Sequence, residues 1–382
     1  MIGFGPILVL RQEAGVDKGH PPSSRSEVSP MRFRSARPRL AATALLTMAV
    51  LPISAPAGTA GPAPEPPEVQ TVRIPLREVA TTRAAVREVH SEKAFELVGL
   101  TWRGPAPDRI EVRTRTSEGW GAWTPLEAEE RGSEPMWTGR SNDVQVRADK
   151  RGQDITDQLQ FIGIDPGQQV APPEISTPVA GAPPVVTRAQ WGADESKMTW
   201  PVERTTTKAA VVHHTAGTND YTCDESAKIV RGIYQYHAVE LGWGDIGYHA
   251  LVDKCGTVFE GRTGGFAGEV VGGHVRGFND HTFGISMMGN YDGVTPSSQT
   301  VRSVADVAAW KLKTKGVPAD GTTRLVSEAP KGSKYPAGTE VTLPTIFGHR
   351  DAAYTACPGK RGYDQLGAIR SQAANAQRST HP

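Results

Sequence analysis

The chain has 382 residues, long enough for two domains with linkers and tails. Its 42 basic and 41 acidic residues leave a net charge of +1, which removes the basic excess expected of a nucleic-acid-binding protein. The 30 prolines and 41 glycines predict linkers and many turns, and only three cysteines are present.

Residues 1–60 read as an N-terminal extension with a secretory signal peptide. Four arginines lie between Arg32 and Arg39, and Leu40 to Ile53 is mostly apolar. Small residues follow at Ser54 to Ala57 and Gly58 to Ala60. Fourteen apolar residues fall short of the roughly 20 needed to span a bilayer. Met31 directly precedes the basic run and is the expected start of translation. Export implies an oxidising compartment in which a disulfide is allowed. No stable membrane insertion is expected once the signal is removed.

A Pro- and Glu-rich linker is expected over 61–85, then a small all-β domain over 86–165. Ile110 to Thr116 alternates apolar or β-branched with charged residues, as a half-buried strand does. Val144 to Arg147, Leu159 to Ile164 and, more weakly, Phe95 to Val98 repeat the pattern, and an antiparallel sandwich is the natural arrangement. Trp120 and Trp123 could line a carbohydrate-binding face, although core packing is the commoner role of such residues. Prolines between Pro166 and Pro184 predict a semi-rigid linker over 166–185.

The domain over 186–376, before a short tail at 377–382, alternates strand and helix signals. Strands are predicted at Ala209 to Val212, Tyr248 to Val252, Thr257 to Glu260 and Gly284 to Met288. A helix over 224–241 carries Ala227, Val230, Tyr234, His237, Ala238 and Leu241 at helical spacing. A second opens at Thr295-Pro296, with the stripe Val301, Val304, Ala305, Ala308 and Leu312. A last helix is predicted from about Tyr363 to Ala374. The whole is an α/β class, a mixed central sheet flanked by helices.

Seven of the ten histidines and all three cysteines fall in this domain. His213 ends an apolar run, and His349 and Cys357 lie eight residues apart downstream. Two imidazoles and one thiolate suit zinc with a position left for water, the catalytic rather than the structural pattern. Adjacent strand residues point to opposite faces, so only one of His213 and His214 faces such a metal. The residues alone leave that choice open.

Five segments occur in order: Val186 to Gly192, Val212 to Gly217, Gly247 to Asp253, Gly256 to Arg262, and Gly348 to Asp351 with Ala356 to Gly359. Together they resemble the peptidoglycan recognition protein and type 2 N-acetylmuramoyl-L-alanine amidase family over about half the chain. That resemblance implies the amidase type 2 fold and a Zn2+ ion held by His213, His349 and Cys357. It implies catalytic roles for Tyr248 beside a metal-bound water and for Thr355 near the scissile carbonyl. His214, Trp243, Arg262, His274 and Asn279 become substrate-groove candidates. Threonine at 355 departs from the phage members, which carry lysine there. With Cys357 assigned to metal, Cys223 and Cys255 remain as a disulfide pair.

The expected protein is a secreted or wall-associated bacterial zinc amidase, a monomer. It would cut the amide between N-acetylmuramic acid and the L-alanine of peptidoglycan. Three alternatives stay open: a non-catalytic peptidoglycan-binding module of the same fold, a zinc peptidase acting within the stem peptide, and a structural zinc protein.

Overall fold

The structure is a computed structural model that describes residues 65–379, apart from 82–84, 169–174, 178 and 330. The predicted signal segment and Met31 lie outside the described residues. The described residues all fall in one compact unit. No helix among the described residues is long and apolar enough to cross a membrane.

The β part contains five principal strands: β1 (Gln70–Pro75), β2 (Arg87–Trp102), β3 (Arg109–Thr116), β4 (Met136–Lys150) and β5 (Leu159–Asp165). They hydrogen-bond in the order β1-β5-β2-β4-β3, every pair antiparallel. This is one continuous sheet rather than the two of a sandwich, because the long strands β2 and β4 reach across it. The expected linker over 61–85 is also corrected: Thr71 to Ile74 form most of β1, paired with β5.

Strand β2 shows how burial follows covering. Its first half alternates buried and exposed, but Phe95 to Leu100 are buried throughout. A register shift against β4 lies between Phe95 and Leu97, and such an irregularity re-aims side chains. Phe95, Val98 and Leu100 enter the core of the β part. Leu97 enters a different cluster, with Ile162, Ile164, Ile229, Val230, Ile233 and Tyr236. Both faces are covered there, one of them by a helix of the following part.

That helix is α1 (Ser226–Gln235), continued by a wider π-type turn over Tyr236–Glu240, so the helix predicted over 224–241 is one nearly continuous element. The approach to the sheet is close. A Cβ on Gly99 would lie 2.2 Å from Cε2 of Tyr236, and one on Gly232 would lie 2.8 Å from Cδ1 of Leu97. At the rim, the Arg73 guanidinium clasps the Glu240 carboxylate through two bonds of 2.6 Å. The proline-rich segment therefore connects two parts that pack directly on each other.

The α/β part holds β6 (Ala209–His214), β7 (Ala250–Val252), β8 (Val258–Glu260), β9 (Thr282–Met287) and β10 (Ile346–Gly348). The sheet order is β8-β7-β9-β6-β10, parallel except for the β8–β7 pair. Strands β6 and β9 are buried along their whole length, as central parallel strands with two covered faces are. Helix α2 (Ser298–Lys313) buries Val301, Val304, Ala305, Ala308 and Leu312 as its periodicity requires. Its cap is Ser297, whose Oγ accepts from the Thr300 N–H at 3.0 Å, two residues later than the predicted Thr295. A short helix α3 (His349–Ala352) follows β10, and α4 (Leu366–Ser379) packs on α2. Cys223 and Cys255 are disulfide-bonded, their Cα atoms 6.4 Å apart, tying the start of α1 to the end of β7.

Candidate metal centre and cleft

Strand register brings the two key histidines together. Gly348, the last residue of β10, pairs with Val212 in the parallel neighbour β6. The next residue of each chain segment, His349 and His213, therefore leaves the same carboxyl edge of the sheet, where open α/β folds place their ligands. Their ring centroids are 4.6 Å apart. Asp351 fixes the turn into α3: its carboxylate accepts from the Gly348 N–H at 2.9 Å and from the Tyr363 hydroxyl at 2.7 Å. Cys357 returns along the following loop, and its sulfur accepts from the His214 N–H at 3.3 Å.

One ligand atom from each of His213, His349 and Cys357 lies within 4.8 Å of the other two, and this is the only such cluster found among the described residues. All three are at most 9% exposed. Burial, reinforced by His349 and the other nearby imidazoles, pushes the His213 imidazole well below its usual range. Burial takes His349 down to about 4 and pushes the Cys357 thiol up. Neutral imidazoles are ready to donate lone pairs, whereas the thiol needs a cation to lose its proton. The donor set thus fits a divalent metal.

The tautomers follow from the partners. His213 Nε2 lies 3.0 Å from His274 Nδ1, and its Nδ1 faces the Cys357 sulfur at 3.7 Å. With Nδ1 kept free for metal, His213 donates Nε2–H to His274, the outer contact that fixes a ligand imidazole. His274 then carries its proton on Nε2, which is buried without a partner among the described residues. His214 points to the other side of β6. Its Nδ1 accepts from the Tyr291 N–H at 3.3 Å, so Nε2–H donates to Glu127 at 3.1 Å. Geometry thus separates the two adjacent histidines: His213 joins the cluster and His214 faces an acid.

A cleft of about 930 Å³ runs past this edge. Tyr248, Thr355, His214, Trp243, His274 and Asn279 all line it, together with His349 and Cys357. The Tyr248 ring is 5.3 Å from that of His213. Thr355 Oγ1 accepts from the Cys357 N–H at 3.1 Å, which leaves its own hydrogen free to donate into the cleft. Asn279 Oδ1 accepts from the N–H groups of His274 and Val275, both at 2.8 Å, so it shapes the turn that carries His274. The Trp243 ring lies 4.6 Å from that of His237, tilted by 39°.

Arg262 is a correction to the groove set. It is 3% exposed and absent from the cleft lining, its guanidinium 4.3 Å from the Trp200 ring, which does line the cleft. Trp120 and Trp123 are half-buried, with Arg113 over both rings and Arg147 over Trp123.

The opposite wall of the cleft comes from the β part, over Leu126 to Gly132 and Glu134. The residue-by-residue reading did not find it. Its only sequence signal is four glutamates within eight residues, Glu127, Glu129, Glu130 and Glu134. The Tyr248 hydroxyl donates to Glu134 Oε1 at 3.4 Å, and Arg276 pairs with Glu130. Burial and the charge of Glu127 raise Glu129 to about 7, and burial raises Glu134 well above the ordinary carboxylate range.

A family profile described as N-acetylmuramoyl-L-alanine amidase matches residues 203–360. A second, described as Rv3811 N-terminal galactose-binding domain-like, matches residues 56–181. Peptidoglycan-recognition protein SC2 of Drosophila simulans is 30% identical over 184 residues, 48% of this chain and 84% of that protein. The human N-acetylmuramoyl-L-alanine amidase is 30% identical over 197 residues, 50% of this chain and 29% of that protein. Among solved structures, human PGRP-IBETAC in complex with glycosamyl muramyl pentapeptide aligns with a TM-score of 0.38 at 26% identity, over 48% of this chain and 94% of that one.

Proposed function

We propose, from the premise that the chain belongs to the peptidoglycan recognition protein and type 2 amidase family, that it is a zinc-dependent N-acetylmuramoyl-L-alanine amidase. The observation that carries this reading is the complete His213, His349 and Cys357 cluster, two of whose members, His349 and Cys357, line a cleft. A binding module of the same fold has no chemical need for three converging metal donors, and a structural zinc site would be closed by a fourth protein ligand.

His213, through Nδ1, His349 and the Cys357 thiolate would hold the ion. Zinc bound there supplies Lewis acidity for the amide carbonyl and a water acidified to about pKa 7. Tyr248 holds its hydroxyl at the cluster and orients the attacking water. Thr355, with its hydrogen free, donates to the carbonyl oxygen as charge develops on it. His274 keeps the His213 ring in its ligating orientation. The products are the glycan with a free lactyl carboxylate and a stem peptide with a new L-alanine amino terminus.

Peptidoglycan is the proposed substrate, and the cell wall outside the membrane is the proposed place of action. The Cys223–Cys255 disulfide supports an oxidising compartment. The proposed domain plan keeps the two parts on either side of 166–185, both contributing to one cleft. Purified protein incubated with muramyl peptide, with and without a chelator, tests the activity. Release of glycan-free intact peptide only in the metal-loaded sample is expected. An absence of new L-alanine termini would reject amidase chemistry, and a cut within the stem peptide, read by product mass, would replace it with peptidase chemistry.

A further inference from the structure

The acid-bearing wall of the cleft is held in place by both parts of the molecule. Within the β part, Ser133 N–H donates to Leu100 O at 2.8 Å while Ser133 Oγ accepts from Leu100 N–H at 3.1 Å. Glu134 N–H donates to Glu127 O at 2.8 Å, closing the segment on itself. From the α/β part, the Tyr236 hydroxyl donates to Leu100 O at 2.9 Å. A Cβ on Gly132 would lie 2.6 Å from Leu241 Cδ2 and 2.8 Å from the Tyr236 oxygen, so the backbone is pressed against that part. Glu134 cannot drift from Tyr248 without breaking these contacts.

Glu134 uses only one of its oxygens. Oε1 accepts from Tyr248, while Oε2 is buried with no partner among the described residues. Burying an unsatisfied carboxylate oxygen is costly, and such groups in native proteins call for a reason. A phenol has one hydrogen and two lone pairs. When the hydrogen goes to Glu134, the lone pairs are left for other partners beside the His213 ring, which lies 5.3 Å from that of Tyr248.

We propose that Glu134, a residue of the β part, is a positioning residue for the amide hydrolysis, acting through Tyr248. It takes the phenol hydrogen and thereby sets Tyr248 as the hydrogen-bond acceptor for the attacking water, rather than as a donor to the carbonyl. The β part is then a working wall of the catalytic cleft and not a separate appendage. The inference rests on the amidase reading above.

The test uses the full chain with Glu134→Gln, Tyr248→Phe and the double variant. Glu134→Gln keeps the shape and replaces one carboxyl oxygen by an NH2 group, which cannot accept the phenol hydrogen. It is expected to lower kcat roughly tenfold, as weakening one buried hydrogen bond does, with KM unchanged. The double variant should be no slower than Tyr248→Phe alone, because both changes act on one contact. Additive losses, or an unchanged kcat in Glu134→Gln, overturn the proposal. A second readout needs neither metal nor turnover. In metal-free protein with 13C-labelled tyrosine, the Tyr248 signal is identified by its loss in Tyr248→Phe. It should move in Glu134→Gln, and an unmoved signal overturns the contact. If the wild type releases no L-alanine terminus, the amidase reading has failed, and a signal that still moves upholds the Glu134–Tyr248 pairing on its own.

Discussion

On one side of the cleft, His213, His349 and Cys357 stand at the carboxyl edge of a parallel sheet. On the other, Glu127 and Glu134 ride a loop between antiparallel strands of a different part. The first set is fixed by strand register, since the Gly348–Val212 pairing alone brings both histidines to the same edge. The second is fixed by docking, through Gly99, Gly132 and Gly232, where any side chain would collide. The metal side is therefore local in origin, and the acidic side depends on how two parts meet.

The metal side should break completely with one atom. Cys357→Ser replaces a soft ligand by a hard hydroxyl, and stoichiometric zinc binding and hydrolysis should both vanish while the fold remains. Metal content by atomic absorption beside circular dichroism checks this, and retained tight zinc would remove Cys357 from the ligand set.

Acid should strain the same side next. Burial holds His237 and His249 at about 3 and His349 at about 4, all below the ordinary value near 6.5. As pH falls below about 6.5 the unfolded chain binds protons that the folded chain refuses, so stability is full above that pH and falls toward pH 3–4. Each of these histidines contributes about 1.4 kcal/mol per pH unit in that window. Denaturant midpoints of chelator-treated protein between pH 7 and 4 measure it, and a flat profile would refute the neutral, buried imidazoles.

Thr355→Val removes the hydroxyl placed at the carbonyl oxygen, and kcat should fall by about 10²–10³. Zinc content measured beside it separates this loss from that of the Cys357 N–H contact. An unchanged kcat would take Thr355 out of the reaction. The smallest effect is expected on the docking side. Gly99→Val forces a side chain against Tyr236 and should cost about 1–3 kcal/mol, read as a lower melting temperature together with weakened catalysis. A variant as stable and active as the wild type would mean that the two parts do not rely on this contact.

The difference between the walls also explains what could be read from the sequence. The strand ending at His213 and the His349–Cys357 loop were visible because apolar runs and donor residues sit side by side in the chain. The choice of His213 over His214 became physical only with the Glu127 contact, which joins residues 87 positions apart. Arg262 entered the groove set through the family resemblance, yet it is 3% exposed with its guanidinium over the Trp200 ring. Strand β1 was hidden by the prolines before it, and the single sheet by the length of β2 and β4. The glutamates carried no periodicity or motif, since their meaning arises only when Tyr248 is brought to them.

The glycine contact between β2 and α1 also bears on how the chain comes to be folded. Synthesis delivers the β part first, with Leu97, Ile162 and Ile164 complete but their covering helix still unmade. Helix α1 begins at Ser226, about 60 residues after β5 ends at Asp165. At about 5–20 residues per second that is several seconds of synthesis. For that interval an apolar surface cut to receive a helix is open to whatever else is near. Nascent chains halted before Ser226 should therefore stick to one another or to chaperones, and chains released just beyond Glu240 should not.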